Sequence, residues 1–252
     1  MSTATVTAIE RVLNILEAFQ TSQRPLSLTE LAAVADVPKS TCHGIVQTLM
    51  ARGYLYTLVR PRSLYPTRRI YDVARDIVEK DPFIERAMPV LERLRDTTRE
   101  TVILGKRQGD TAIYLQVIEG LHVIRYTATP GEIKPLHSSS IGKALLGGLK
   151  ESDLRAWLKD RQLPAITAAT QTDHEALILE LQNSRRAGYF VTRGENVSDV
   201  WAVASFLTLD RETLAIAVAG PRNRMEGYIG EYAKVLALTC GLLARQQTGD
   251  KS

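Results

Sequence analysis

Two cysteines, four histidines and an aromatic content of 6% in 252 residues leave several chemistries short of material. Cys42 and Cys240 each fall on the apolar side of a helix-patterned stretch, with no CxxC pair. Both read as small buried thiols in a reducing cytoplasm. His43, His122, His137 and His174 lie in separate segments without HxxxH spacing, so no metal is expected. No G-x-x-x-x-G-K-[ST] or G-x-G-x-x-G stretch follows a strand pattern, so no nucleotide cofactor is expected either. The longest apolar-rich stretch, residues 236–244, is too short to span a bilayer and reads as a buried helix. The opening MSTATVTAIERV lacks the basic start and apolar run of a secretory signal, which points to the cytoplasm and away from a membrane partner. Low-complexity tracts and internal repeats are absent. What is present, 44% hydrophobic residues, suffices to bury one large core or two ordinary ones.

Charge is unevenly spread. Residues 1–69 hold eight Lys/Arg against four Asp/Glu, and residues 70–252 hold twenty-four of each, so the formal surplus of +4 sits in the first segment. That segment contains LSLTELAAVADVPKSTCHGIVQTLMARGYL, residues 26–55. Ser27 with Glu30 is a capping-box spacing and starts a helix at Leu28, with Leu28, Leu31, Ala32 and Ala35 on one face. Asp36-Val37-Pro38 breaks the pattern, and Pro38 suits the first turn of a new helix. The second helix carries an apolar stripe at Cys42, Ile45, Val46, Leu49 and Met50. Its other face holds Lys39, Ser40, Thr41, His43, Gly44 and Gln47. A plain helical hairpin would satisfy this pattern as well. Three neighbouring features favour a helix-turn-helix instead. An upstream amphipathic helix carries Ile9, Val12, Leu13, Leu16 and Phe19. A two-stranded wing pattern, Tyr54-Leu55-Tyr56 and Ser63-Leu64-Tyr65, flanks Arg60-Pro61-Arg62. The surplus of positive charge is the third.

Residues 69–80, RIYDVARDIVEK, place Ile70, Val73, Ala74, Ile77 and Val78 on one stripe that a second copy of the chain would cover. From Pro82 onward, a helix through Ile84, Met88, Leu91 and Leu94 precedes strands expected at 101–107, 111–119 and 123–128. Helices are expected from about Ser140, over 151–159 and over 174–187, then strands at 189–193, 200–209 and 214–219. A final helix over 225–246 should turn Tyr228, Tyr232, Val235, Leu236, Thr239, Leu242 and Leu243 inward. Strands and helices interleave without strict alternation, which argues for an α+β fold.

With these motifs in one order, the chain resembles the IclR family of bacterial transcription regulators. PLSLTELAAVADVPKST with LMARGYL looks like that family's winged helix-turn-helix; RETVILGKRQGD, IKPLHSSSIGKALL, TQTDHEAL and AVAGP follow in its order. The resemblance implies a winged helix-turn-helix over residues 1–68, a linker helix over 69–81 and a GAF-like mixed α/β effector-binding domain over 82–252. It implies double-stranded DNA with an imperfect palindrome as partner, a dimer that pairs further into a tetramer, and control by a small organic effector. The DNA-binding candidates are Ser27, Thr29, Lys39, Ser40, Thr41, His43, Gln47, Arg60 and Arg62, with Lys39 on a phosphate and Thr41, His43 and Gln47 facing base edges. The sequence departs from the family at Gly44, where a long side chain is usual, and at Asp36, where Gly often stands.

For the effector, the resemblance implies the backbone at Ser140-Ile141, a polar residue near Thr192-Arg193, and Ala202, Ala217 and Ala219, positions that carry Cys or Ser in relatives with small-acid ligands. Trp201 and Phe206 are close in sequence, and His137, Ser139 and Arg193 are candidates for a carboxylate. Alanines in place of hydroxyls argue for an aromatic or otherwise bulky acid, the alternative being that Trp201 and Phe206 are core packing. Ser140-Ile141-Gly142-Lys143 matches the S-x-x-K spacing of serine acyl-enzymes but lacks the companion motifs, so Lys143 reads as a helix-face charge. A hydrolase on the larger half and a ligand-free architectural DNA binder are the competing classes.

Overall fold

In the computed structural model the Ser27 hydroxyl accepts from the Glu30 amide at 3.2 Å, and the Glu30 carboxylate accepts from the Ser27 amide at 2.8 Å. Two orphan donors at one helix end are thus satisfied reciprocally, and the helix starts at Leu28 as its capping box requires. The structure describes residues 6–59, 62–78, 80–209 and 212–248, in two units, Met1–Asp81 and Pro82–Ser252.

The first unit runs α1 (Thr7–Ser22), α2 (Leu28–Val34), α3 (Lys39–Ala51), β1 (Leu55–Leu58), β2 (Ser63–Pro66) and α4 (Arg69–Val78). Its core gathers Ile15, Phe19, Leu26, Leu31, Cys42, Val46, Leu55 and Leu64. β1 and β2 pair antiparallel with Tyr56 opposite Tyr65, forming the wing. Asp36 takes the left-handed turn between α2 and α3 at φ 52°, the conformation that glycine adopts without strain. Pro38 caps α3 from outside rather than sitting in its first turn. The α1 stripe also differs from expectation. Ile15, Ala18 and Phe19 are buried while Ile9 and Leu13 stay exposed, because a 16-residue helix outruns a small core and only its second half packs. No residue of α4 is buried, and Tyr71, Ile77 and Val78 are open.

The second unit runs α5 (Pro82–Thr98), β3 (Thr101–Gln108), β4 (Thr111–Ile118), β5 (Ile133–Pro135), α6 (Ser140–Gly147), α7 (Glu151–Leu158) and α8 (His174–Ala187). It continues through β6 (Phe190–Arg193), β7 (Val200–Leu209), β8 (Glu212–Pro221), α9 (Arg222–Met225) and α10 (Ile229–Thr248). Six antiparallel strands form one sheet in the order β5-β4-β3-β8-β7-β6. The fold is α+β. Side chains alternate across the strands as a pleat demands. Ala202, Ala204, Ala215, Ala217 and Ala219 face α6, α7 and α8, while Val203, Leu207, Leu214, Ile216 and Val218 face α5 and α10. Small residues on the first face let α6 lie close to the sheet.

Two expectations fail here. The stretch 123–128 is not a strand. Arg125 reaches back to Glu119 and to the His122 carbonyl, and Arg224 donates to the Ile124 carbonyl at 2.9 Å, so side chains hold the segment where strand pairing was expected. The short strand comes later, as β5. The last helical stretch is split into α9 and α10, and Tyr228 and Leu242 remain exposed while Tyr232, Leu236, Thr239 and Leu243 are buried.

Candidate DNA-reading face and effector cavity

On α3, Lys39, Ser40, His43, Gly44 and Gln47 are exposed and Thr41 is half-buried, opposite the buried Cys42 and Val46. Between α3 and the wing lies a groove of about 390 Å³ lined by Thr29, Lys39, His43, Gln47, Thr57 and Arg62 among others. Five of the sequence candidates therefore meet in one concavity. Thr57, on the wing, joins them, and nothing in its local pattern marked it out. The Ser27 hydroxyl is committed to its cap, Ser40 and Thr41 are outside the groove lining, and Arg60 lies outside the described residues. Space beyond Gly44 is empty to 4 Å, so α3 presents bare backbone at the middle of its outer face.

The second unit holds a small cavity, about 30 Å³, at the N-terminus of α6. It is lined by Ile103, Tyr114, Tyr126, Ser139, Ser140, Thr192, Asn196, Val197, Val200, Ala202 and Ala219. Ser139 caps α6, its hydroxyl accepting from the Gly142 amide at 3.1 Å and donating to the Pro135 carbonyl at 2.7 Å. The amides of Ser140 and Ile141 have no acceptor among the described hydrogen bonds, as the first turn of any helix leaves them. Gly142 lets α6 settle here, since a Cβ would collide with the Leu136 backbone. The Ser140 and Thr192 hydroxyls likewise have no partner among the described bonds. Burial pushes the Tyr114 phenol up, so that ring meets the cavity uncharged at neutral pH, with the Tyr126 ring beside it in the lining. Lys134 stands behind them, paired with Glu132 at 2.8 Å.

The sequence candidates divide around this cavity. Ser139, Ser140, Thr192, Ala202 and Ala219 line it; Ile141 supplies an amide next to it; Ala217 is packed in the core beside α6. Arg193 and Trp201 do not reach it. They pair across β6 and β7 on the opposite face of the sheet, the Arg193 guanidinium 5.5 Å from the Trp201 ring. One residue along a strand reverses the side. Phe206 packs on Phe190 farther along β7, at 6.1 Å between centroids. His137 is tied through Nε2 to the Pro164 carbonyl at 2.9 Å and lines a separate outer groove with Trp157 and Arg161. Burial pushes its imidazole down, so it is neutral. Tyr114, Tyr126, Asn196 and Val197 escaped the sequence reading because they come from segments far apart in the chain.

Lys143 is not a surface charge. It is fully buried, with Nζ held by Glu180 at 2.6 Å and by Glu195. Burial pushes the Glu195 carboxyl up against the pull of Lys143. An ammonium committed to two carboxylates is no base for Ser140, which removes the geometric ground for an S-x-x-K nucleophile.

Residues 8–58 match the family model described as the IclR helix-turn-helix domain, and residues 76–240 match the bacterial transcriptional regulator IclR C-terminal model. The chain belongs to the IclR family. Among its relatives, the HTH-type transcriptional regulator BhcR of Paracoccus denitrificans is 32% identical over 222 residues, covering 87% of this chain and 79% of that protein. The crystal structure of the Thermotoga maritima IclR shares the fold with a TM-score of 0.81 at 22% identity, over 96% of this chain and 98% of that one. An IclR homolog from Microbacterium hydrocarbonoxydans, complexed with 4-hydroxybenzoate, superposes with a TM-score of 0.77 at 20% identity, over 96% and 99%. As an IclR-family protein with a helix-turn-helix domain, the chain is a DNA-binding transcription regulator, not an enzyme. No described helix is long and apolar enough to cross a membrane.

Proposed function

We propose that this regulator reads an imperfect palindrome with two copies of α3, and that a small carboxylate at the N-terminus of α6 sets its affinity for DNA. The observation that carries the effector reading is the cavity itself. Two unpaired amides, two unpaired hydroxyls and two tyrosine rings converge where a helix dipole favours an anion. The 4-hydroxybenzoate complex of the Microbacterium homolog supports an acid as the ligand class. Ala202 and Ala219 form an apolar floor for the ligand body. With Trp201 and Phe206 placed elsewhere, and with a volume of about 30 Å³, roughly the share of one water molecule, the cavity favours a compact acid over a bulky one. The exposed stripe of α4 supports a dimer, in which a second copy covers Tyr71, Ile77 and Val78. Half-sites then mirror the two-fold axis. The ligand acts by binding one arrangement of the dimer better than another, which shifts the population able to grip DNA.

Calorimetry of the full chain with pyruvate, glyoxylate and 4-hydroxybenzoate, together with DNA-binding titrations on the fragment upstream of its own gene, tests this. Compact acids should bind and move the DNA titration, and Ala219→Leu, which fills the cavity, should abolish both effects. Tight binding of the aromatic acid alone would overturn the compact ligand. A DNA titration indifferent to all three acids would overturn the coupling.

A further inference from the structure

A lysine with none of its surface exposed, flanked by two carboxylates, is an expensive arrangement, and apolar side chains of equal volume often do as well or better for stability. Its presence points to a demand of geometry. α6 supplies both the anion seat, at Ser140 and Ile141, and the ammonium one turn later, at Lys143. Glu180 comes from α8, and Glu195 opens the segment 195–199 between β6 and β7, whose Asn196 and Val197 form a wall of the cavity. Gly194 turns the chain into that segment at φ 78°, where a Cβ would press on the Ser198 carbonyl at 2.6 Å. The Gly194 and Glu195 carbonyls accept from the Thr167 and Thr170 hydroxyls, each at 2.7 Å. Beyond that anchor the segment leaves the sheet. Its described bonds are Asn196 to the Ser138 hydroxyl at 3.2 Å, the Val200 amide to the Val197 carbonyl at 3.0 Å, and the Arg222 amide to the Asp199 carbonyl at 2.8 Å. A cavity of about 30 Å³ admits nothing much larger than water unless a wall moves. Two of its walls lie outside the strand ladder: the Tyr126 segment, which the Thr101 hydroxyl ties to β3 through the Tyr126 carbonyl, and segment 195–199.

We infer that Lys143 is a positioning residue for the effector: through Glu195 it clamps segment 195–199 against α6, so that Asn196 and Val197 close over whatever sits at the helix N-terminus. The inference rests on the effector cavity proposed above. It makes the helix that binds the anion also the helix that holds the door. A displacement of α6 on occupancy therefore moves both seat and wall.

Hydrogen exchange on the full chain tests the clamp without any ligand. Glu195→Ala leaves Lys143 paired with Glu180, so the core keeps a neutralised pair. Amides 196–199 should then exchange about tenfold faster, with α6 and the strands unchanged, as a local opening rather than a global one. Glu195→Gln keeps an acceptor for the ammonium and should return exchange to within about threefold of the parent. No acceleration at 196–199, or an equal acceleration across the whole unit, would overturn the clamp. In a second arm, pyruvate and 4-hydroxybenzoate are titrated. Whichever acid binds the parent should dissociate about tenfold faster from Glu195→Ala at an unchanged melting temperature, and equal dissociation rates would overturn the inference. If neither acid binds the parent, the effector proposal fails and the exchange result alone decides the clamp.

Discussion

Among the described residues of the first unit every charged side chain keeps some exposure, whereas the second unit buries Glu100, Lys143 and Glu195. Glu100 takes a two-pronged grip from Arg224, at 2.5 and 2.9 Å, and Lys143 is shared between Glu180 and Glu195. The difference fits what each unit meets under the proposed function. A polyanion is met at the surface, where lysine and arginine contribute through many weak, screened contacts. A small anion has to be taken out of water, so fixed dipoles and buried charges must be held in register around it, at a cost to stability.

Lys143→Met tests the contrast most severely. It leaves two carboxylates facing each other without their cation and should cost about 3–5 kcal/mol, read as a lower urea midpoint for the second unit. Lys39→Met, on the exposed face of α3, should stay within about 0.5 kcal/mol. Similar losses for both would erase the distinction. On DNA the order reverses. Gln47→Ala should relax preference at one base pair by about 1–3 kcal/mol, and Lys39→Ala should weaken binding on every sequence while lowering the salt slope by about one. Equal effects of the two variants on specific and random fragments would show that α3 does not divide its labour this way.

The smallest effect concerns acid. The Ser27 amide and hydroxyl, with Arg24, hold the Glu30 carboxyl down to about 2, from 4.5. Its folded value lies below its unfolded one, so its stabilisation is present above pH 4.5 and disappears as the pH falls toward 2. Glu195 runs the other way. Burial raises its folded value above 4.5, so the folded second unit binds that proton more readily and gains stability as the pH falls through that raised value. Ser27→Ala should cost about 1 kcal/mol at neutral pH and less in acid. Unfolding followed separately for each unit between pH 3 and 7 should show opposite slopes from these two carboxyls, and Glu195→Gln should flatten the second.

How much was legible in the sequence depended on how local the cause was. α8 runs His174–Ala187 as expected because Asp173 caps one end through the Ala176 amide and Gly188 closes the other at φ 83°. α3 was equally plain, its stripe and its polar face set by spacing alone. The cavity was not. Naming a neighbourhood such as 192–193 or 201–202 leaves the side of the sheet undecided, and the pleat sent Thr192 and Ala202 inward but Arg193 and Trp201 to the other face. Lys143 misled for a different reason. Its partners lie 37 and 52 residues away, and no pattern within α6 announces them.

The two-sided packing of this sheet has a further consequence in light. The chain's two tryptophans fall on opposite faces of the same sheet. Trp157 donates its indole N–H to Asp110 and lies 4.8 Å beneath Arg161, while Trp201 has Arg193 and Arg222 within 5.6 Å of its ring. Each face thus carries its own intrinsic fluorophore beside arginine, and replacing either indole with phenylalanine turns the remaining emission into a spectrometer for one side of the sensor.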